Sequence, residues 1–218
     1  MAPQFSLDRS KLKTVKSFLA FFILFAVSAV SLLAGDVVVP RKAPELAFTI
    51  PDEGQKLLSQ YRGKVVALEF IMTTCPHCQA ASHDMTKYQE EFGKRGLQVI
   101  DLAINALDGT GGPGEADVMV TMFKKNFQVG FPVGYVPRVQ MMTFMGFTPA
   151  DRMVVPQLVL IDRKGIIHYQ TPAASGLQWD SVMKEPGLRE HLEELLALGN
   201  STSTPRSKSK MVASAEQK

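Results

Sequence analysis

The chain has 218 residues, 45% of them hydrophobic, with 24 Lys and Arg against 21 Asp and Glu and two cysteines in all. Its formal charge of +3 resides at the ends, because the stretch from Gly35 to Asn200 holds 16 Lys and Arg against 19 Asp and Glu, a net of −3. No basic face for nucleic acid is implied, and two cysteines exclude a framework of structural disulfides.

Residues 1–17 form a basic segment with Arg9, Lys11, Lys13 and Lys16, and residues 18–34 follow without a single charge. The uncharged run is longer than the core of an average signal peptide and shorter than the roughly 20 apolar residues that span a bilayer. It reads as an export signal, either cleaved or retained as an anchor in the inner membrane. In both cases the basic flank stays cytoplasmic, and the remaining chain lies on the periplasmic or other extracytoplasmic side. A Pro-bounded linker is expected over 35–44, one globular domain over 45–200, and a disordered, basic, Ser-rich tail over 201–218.

Within the domain, Glu45–Ile50 alternates enough for a first short strand, and Pro51–Gly54 reads as a turn. Leu57, Leu58 and Tyr61 suggest one or two helical turns that stop at Gly63. Val65–Met72 is almost unbroken apolar sequence of strand length, which predicts a central strand covered on both faces. Its one charge is Glu69. Ala80, Ala81, Met85, Tyr88 and Phe92 then recur at helical spacing, and Gly93 and Gly96 end the helix. Leu97–Ile104 is the next strand, and the intervening helix predicts a parallel crossover.

Asp108–Gly114 is a glycine-rich loop without the context of a dinucleotide fingerprint. A helix is expected over Glu115–Phe127 and a short strand over Phe131–Tyr135. The Met- and Phe-rich stretch Val139–Phe147 fits either core packing or an adaptable substrate surface. Val154–Ile161 is a strand opened by a proline, Asp162–Gly165 is a hairpin turn, and Ile166–Gln170 is the return strand. A final helix runs over Trp179–Leu198 with a potential break at Pro186–Gly187.

The two cysteines, Cys75 and Cys78, enclose Pro76 and His77 at the junction of the apolar strand and the first long helix. A Cys-x-x-Cys pair at a helix start brings two sulfurs within bridging distance, and the unpaired N–H groups there favour a thiolate on the first. Closed zinc sites take about four Cys or His ligands, and no second Cys pair exists. Haem attachment requires His directly after the second cysteine, where Gln79 stands.

The ordered motifs Ala43-Pro-Glu-Leu-Ala-Phe-Thr, Tyr61-Arg-Gly-Lys-Val-Val, Thr74-Cys-Pro-His-Cys, Phe131-Pro-Val-Gly, Val155-Pro156 and Leu160-Ile-Asp-Arg-Lys-Gly165 resemble the exported thiol–disulfide oxidoreductases of the TlpA/ResA type. The resemblance spans roughly Ala43 to Leu198. It implies a thioredoxin-like α/β fold with a central mixed sheet flanked by helices and an inserted helix–strand element. It also implies that Pro156 is a cis-proline facing the cysteines, that Val155 offers backbone groups to a bound peptide, and that Glu69 is a buried acid behind Cys78. Cys75, Cys78, Glu69, His77 and Pro156 are then the expected catalytic positions, with Thr74, Pro76, Val155 and Pro156 contacting substrate. Glu69 also fits an inward charge paired with a lysine, or a solvent-facing edge position. Two departures bear on direction: Thr74 replaces the usual aromatic residue before the first cysteine, and the Pro76-His77 dipeptide resembles oxidising members of the fold. A cationic His77 would favour the Cys75 thiolate and make the disulfide more oxidising. Against the peroxidase branch, Met72 and Leu68 occupy the positions where that branch carries Thr or Ser and Pro.

The implied chemistry is dithiol–disulfide exchange with the thiols or disulfides of exported proteins. The Cys75–Cys78 disulfide is itself the redox group, no bound cofactor or metal is called for, and a membrane redox partner recycles the pair. The competing expectation is a thioredoxin-fold binding or copper-delivery module built on Cys75, Cys78 and a histidine such as His83, since soft thiolates suit Cu(I).

Overall fold

The computed structural model describes residues 37–198. The basic segment 1–17, the apolar run 18–34 and the tail 201–218 lie outside the described residues. The elements in chain order are β1 (Arg41–Lys42), β2 (Ala47–Ile50), β3 (Gly54–Leu57), β4 (Val65–Ile71), α1 (Pro76–Phe92), β5 (Leu97–Ala103) and α2 (Gly112–Asn126). They continue with β6 (Val133–Tyr135), α3 (Arg138–Met145), β7 (Gln157–Ile161), β8 (Ile166–Gln170), α4 (Leu177–Met183) and α5 (Gly187–Leu198). The described strands form an eight-stranded mixed sheet in the order β1-β8-β7-β4-β5-β6-β2-β3. β4, β5 and β6 run parallel and the remaining pairs antiparallel. This is the thioredoxin-like α/β fold.

β4 and β5 are central because nearly every side chain they carry is apolar, so both faces of each strand are covered. Alternate side chains of β4 enter different cores. Val65, Ala67 and Ile71 pack beneath α1, α2, α4 and α5, whereas Val66, Leu68 and Phe70 meet α3 and the segment around Ala43–Ile50. α1 begins with Pro76 at its first position, where a missing N–H costs nothing. It runs into a 3-10 turn closed by Gly96, whose φ of +103° an L side chain rarely adopts. The chain can then turn into β5, parallel to β4 as the sequence predicts. Gly134 in β6 is required by close approach, since a Cβ there would lie 2.4 Å from the Thr49 carbonyl oxygen.

Several boundaries differ from the sequence reading. Part of the expected linker is built into the sheet, where Arg41 donates to the Phe144 carbonyl at 2.9 Å and to Gln170 at 2.6 Å. Gly54–Leu57 is an edge strand paired with β2. α2 starts at Gly112, inside the glycine-rich loop. The Met- and Phe-rich stretch forms α3, whose Met141, Phe144 and Met145 are buried at helical spacing. The C-terminal helix is divided into α4 and α5 at Lys184–Pro186.

Candidate active site

Four segments converge on the cysteines. The end of β4 delivers the loop Met72–Thr74, α1 carries Cys78 with Cys75 at its cap, Asn105 follows β5, and Val155-Pro156 precedes β7. Polar contacts fix the loop. The Thr73 N–H donates to Asn105 Oδ1 at 3.1 Å, and Asn105 Nδ2 donates back to the Thr73 hydroxyl at 3.1 Å. Gln79 Nε2 donates to the Thr73 carbonyl at 3.1 Å, and the Cys75 N–H donates to the Met72 carbonyl at 3.0 Å. Sequence reading did not single out Asn105 or Gln79, because a lone amide carries no signal until its partner is known.

Cys75 caps α1 with extended backbone, φ −87° and ψ 119°, and is half-buried, whereas Cys78 one turn later is fully buried. The Cys75 thiol lies 4.0 Å from the Val155 carbonyl oxygen, and the Val155–Pro156 bond is cis. Burial raises the pKa of the Cys78 thiol far above its ordinary range. The Met72 N–H, donating to Cys78 Sγ at 3.4 Å, works against this, while Cys75 and, least of all, Glu69 add to it. The outer sulfur can therefore meet another protein, while the inner one is held neutral and shielded.

Thr74, Pro76 and His77 are exposed, and Pro156 is buried. His77 and Pro156 border a groove of about 180 Å³ whose wall includes the apolar Ala81, Met85, Trp179 and Met183 and the charged Asp84 and Lys184. Glu69 is fully buried on the α1 side of the sheet. No lysine pairs with it among the described residues, and it does not face solvent. Its pKa is raised, first by burial and then by the neighbouring Asp101. Asp101, in β5, was absent from the sequence reading although it too is the one charge in an apolar strand. No cluster of three or more Cys, His, Asp or Glu side chains suited to a metal occurs among the described residues. No helix among them is long and apolar enough to cross a membrane.

Residues 39–170 match the model of the AhpC/TSA family. The thiol-disulfide oxidoreductase ResA of Geobacillus thermodenitrificans (strain NG80-2) is 25% identical over 159 residues, 73% of this chain and 79% of that protein. ResA of Geobacillus kaustophilus (strain HTA426) is 29% identical over 129 residues, 59% of this chain and 66% of that protein. Among solved structures, a thiol:disulfide interchange protein of the thioredoxin family from Chlorobium tepidum TLS superposes with a TM-score of 0.55. That likeness holds at 18% identity and covers 74% of this chain and 99% of the other.

Proposed function

We propose, since this chain belongs to the AhpC/TSA family and is a thiol–disulfide oxidoreductase, that it exchanges disulfides with exported proteins through Cys75 and Cys78. One observation carries the reading: the two sulfurs are unequal, with Cys75 half-buried at the helix start beside the Val155 carbonyl and Cys78 sealed one turn behind it. In the reducing direction, the Cys75 thiolate attacks a partner disulfide, forms a mixed disulfide and expels one partner thiolate. Cys78 loses its proton and attacks Cys75 Sγ, closing the Cys75–Cys78 bond and releasing the second partner thiolate. The oxidising direction is the reverse. Glu69, on the same face of the sheet, exchanges the proton that Cys78 must lose or gain.

The bound segment lies along Thr74, Pro76, Val155 and Pro156, with the Val155 backbone available to it and His77 at the rim. The basic flank and uncharged run of residues 1–34 support a domain held at the far side of the inner membrane, with a membrane protein recycling the pair. The test is Cys78→Ser in the full chain, which should accumulate a mixed disulfide through Cys75, whereas Cys75→Ser should form none. Failure of Cys78→Ser to trap any thiol partner would overturn the reading. The reduction potential then fixes direction: a couple near about −270 mV, as in thioredoxin, is a reductant, and one near about −120 mV, as in DsbA, is an oxidant.

A further inference from the structure

β4 and β5 are paired in parallel register, and the pairing sets Glu69 directly beside Asp101. Both side chains point to the α1 side, because Ala67, Ile71, Val99 and Ala103, two residues away on either side, all enter that core. Both are 0% exposed. Neither Glu69 oxygen meets a donor with hydrogen-bonding geometry, nor does Asp101 Oδ1. The other Asp101 oxygen, Oδ2, accepts from the Ser82 hydroxyl at 2.5 Å. Ser82 lies one turn beyond Cys78 on α1, and both are buried on one helix face, the hydroxyl against Asp101 and the inner sulfur within the electrostatic reach of Glu69.

The surroundings supply no compensating charge. From α1, Cys78 and the carboxylate of Asp84 interact with Glu69, and Asp84 adds negative charge. The strands on either side offer Leu158 opposite Glu69 and Val133 opposite Asp101. The other helices over this face present apolar side chains such as Val120 and Leu192. Two adjacent carboxyls in such a site cannot both ionise, so they titrate as one unit. Only Asp101 has a hydroxyl to stabilise a negative charge.

We propose that Asp101 is a positioning residue acting through Glu69: the two carboxyls hold one proton at neutral pH, Ser82 fixes the charge on Asp101, and the proton stays on Glu69 for delivery to Cys78. The inference rests on the exchange reading above and assigns it a proton source. When a thiolate attacks Cys75 Sγ, the Cys75–Cys78 bond breaks and its electron pair stays on Cys78. That sulfur takes the Glu69 proton and becomes a neutral thiol, and the carboxyl pair regains a proton from water. Ring closure returns the Cys78 proton by the same route. Removing Asp101 removes the neighbouring charge that holds the proton on Glu69, a direction in agreement with the raised pKa of Glu69.

The test uses the full chain with its disulfide formed and glutathione as the attacking thiol. Opening rates, corrected for the thiolate fraction of glutathione, are followed with pH, and the protonated-carboxyl infrared band is followed in parallel. In the wild type both should persist at neutral pH and fall together at higher pH. Asp101→Asn should move that midpoint down by at least about one pH unit, a tenfold change in proton affinity. Ser82→Ala should move it up, and Glu69→Gln should remove the midpoint from the opening rate and slow opening roughly 10²-fold, the scale of one general acid. Opposite shifts in the first two variants exclude a merely structural role. Absence of a protonated-carboxyl band in the wild type at pH 7 would overturn the proposal without any variant having to fold, as would an unmoved midpoint in Asp101→Asn. If Cys78→Ser also traps no partner, the exchange reading itself falls. If trapping succeeds and the midpoint is unmoved, only the role of Asp101 is lost.

Discussion

The two faces of β4 and β5 share a backbone and differ in almost everything else. Beneath α3, Leu68, Phe70, Ile100 and Leu102 build an apolar layer with Met141, Phe144 and Met145, bordered by the buried amides of Gln157 and Gln170 and free of carboxyls. Beneath α1, the same strands place Glu69 and Asp101 among Val65, Ala67 and Val99, with Ser82 and Cys78 above them. Burying carboxyls without a cation costs stability, so this face gives up free energy that the other retains. The difference teaches a division of labour within one sheet: side-chain alternation lets a strand pack an apolar core on one side and bury ionisable groups on the other.

The sharpest way to break the comparison is to damage only the apolar face. Phe70 is fully buried, and its ring centroid lies 5.8 Å from that of Phe144. Phe70→Ala removes those contacts and leaves a cavity, and it should cost about 3–5 kcal/mol. Urea unfolding of the reduced protein measures this. The pH midpoint of disulfide opening should stay where it is in the wild type, because no group that touches the carboxyl pair has changed. A midpoint that moved with Phe70→Ala would mean that the two faces are coupled.

Much of the reactive face was legible in sequence. An apolar strand leading into Cys-x-x-Cys and a helix locates both cysteines, and the lone charge of Glu69 in that strand marks it. The partner acid was not legible, although Asp101 interrupts Leu97–Ile104 just as Glu69 interrupts Val65–Met72. What joins them is the register Val65↔Leu97, which carries four residues on to Glu69↔Asp101. Register is specified by the alternation of apolar and polar residues, and strands covered on both faces carry almost none. The same limit hid β3, whose Gly-Gln-Lys-Leu sequence has no alternation because it is a largely exposed edge. The Met- and Phe-rich stretch favoured core packing over a substrate surface, and α3 buries Met141, Phe144 and Met145.

A gentler change sharpens the comparison through pH alone. Burial raises the proton affinities of both Glu69 and Asp101. Above the ordinary carboxyl range the folded protein therefore holds more protons than the unfolded chain, and stability falls as pH rises through the folded values. Each unit of raised pKa is worth about 1.4 kcal/mol. Between pH 5 and pH 8 this pair should dominate the carboxylate contribution. The lowered groups Glu45, Glu91, Asp151 and Asp162 are already ionised in both states there, so their stabilisation is constant and is lost only at more acid pH. His191, whose pKa is lowered by burial, adds a small slope of opposite sign, but it does so equally in the wild type and in a variant at Glu69. Unfolding free energies at the two pH values should show the wild type losing stability towards pH 8 and Glu69→Gln losing less than half as much, a difference of about 1–2 kcal/mol. Phe70→Ala should keep the full wild-type slope while starting several kcal/mol lower. Equal slopes in the wild type and Glu69→Gln would mean that the buried acids titrate as they do in water, and the two faces would then differ in sequence but not in cost.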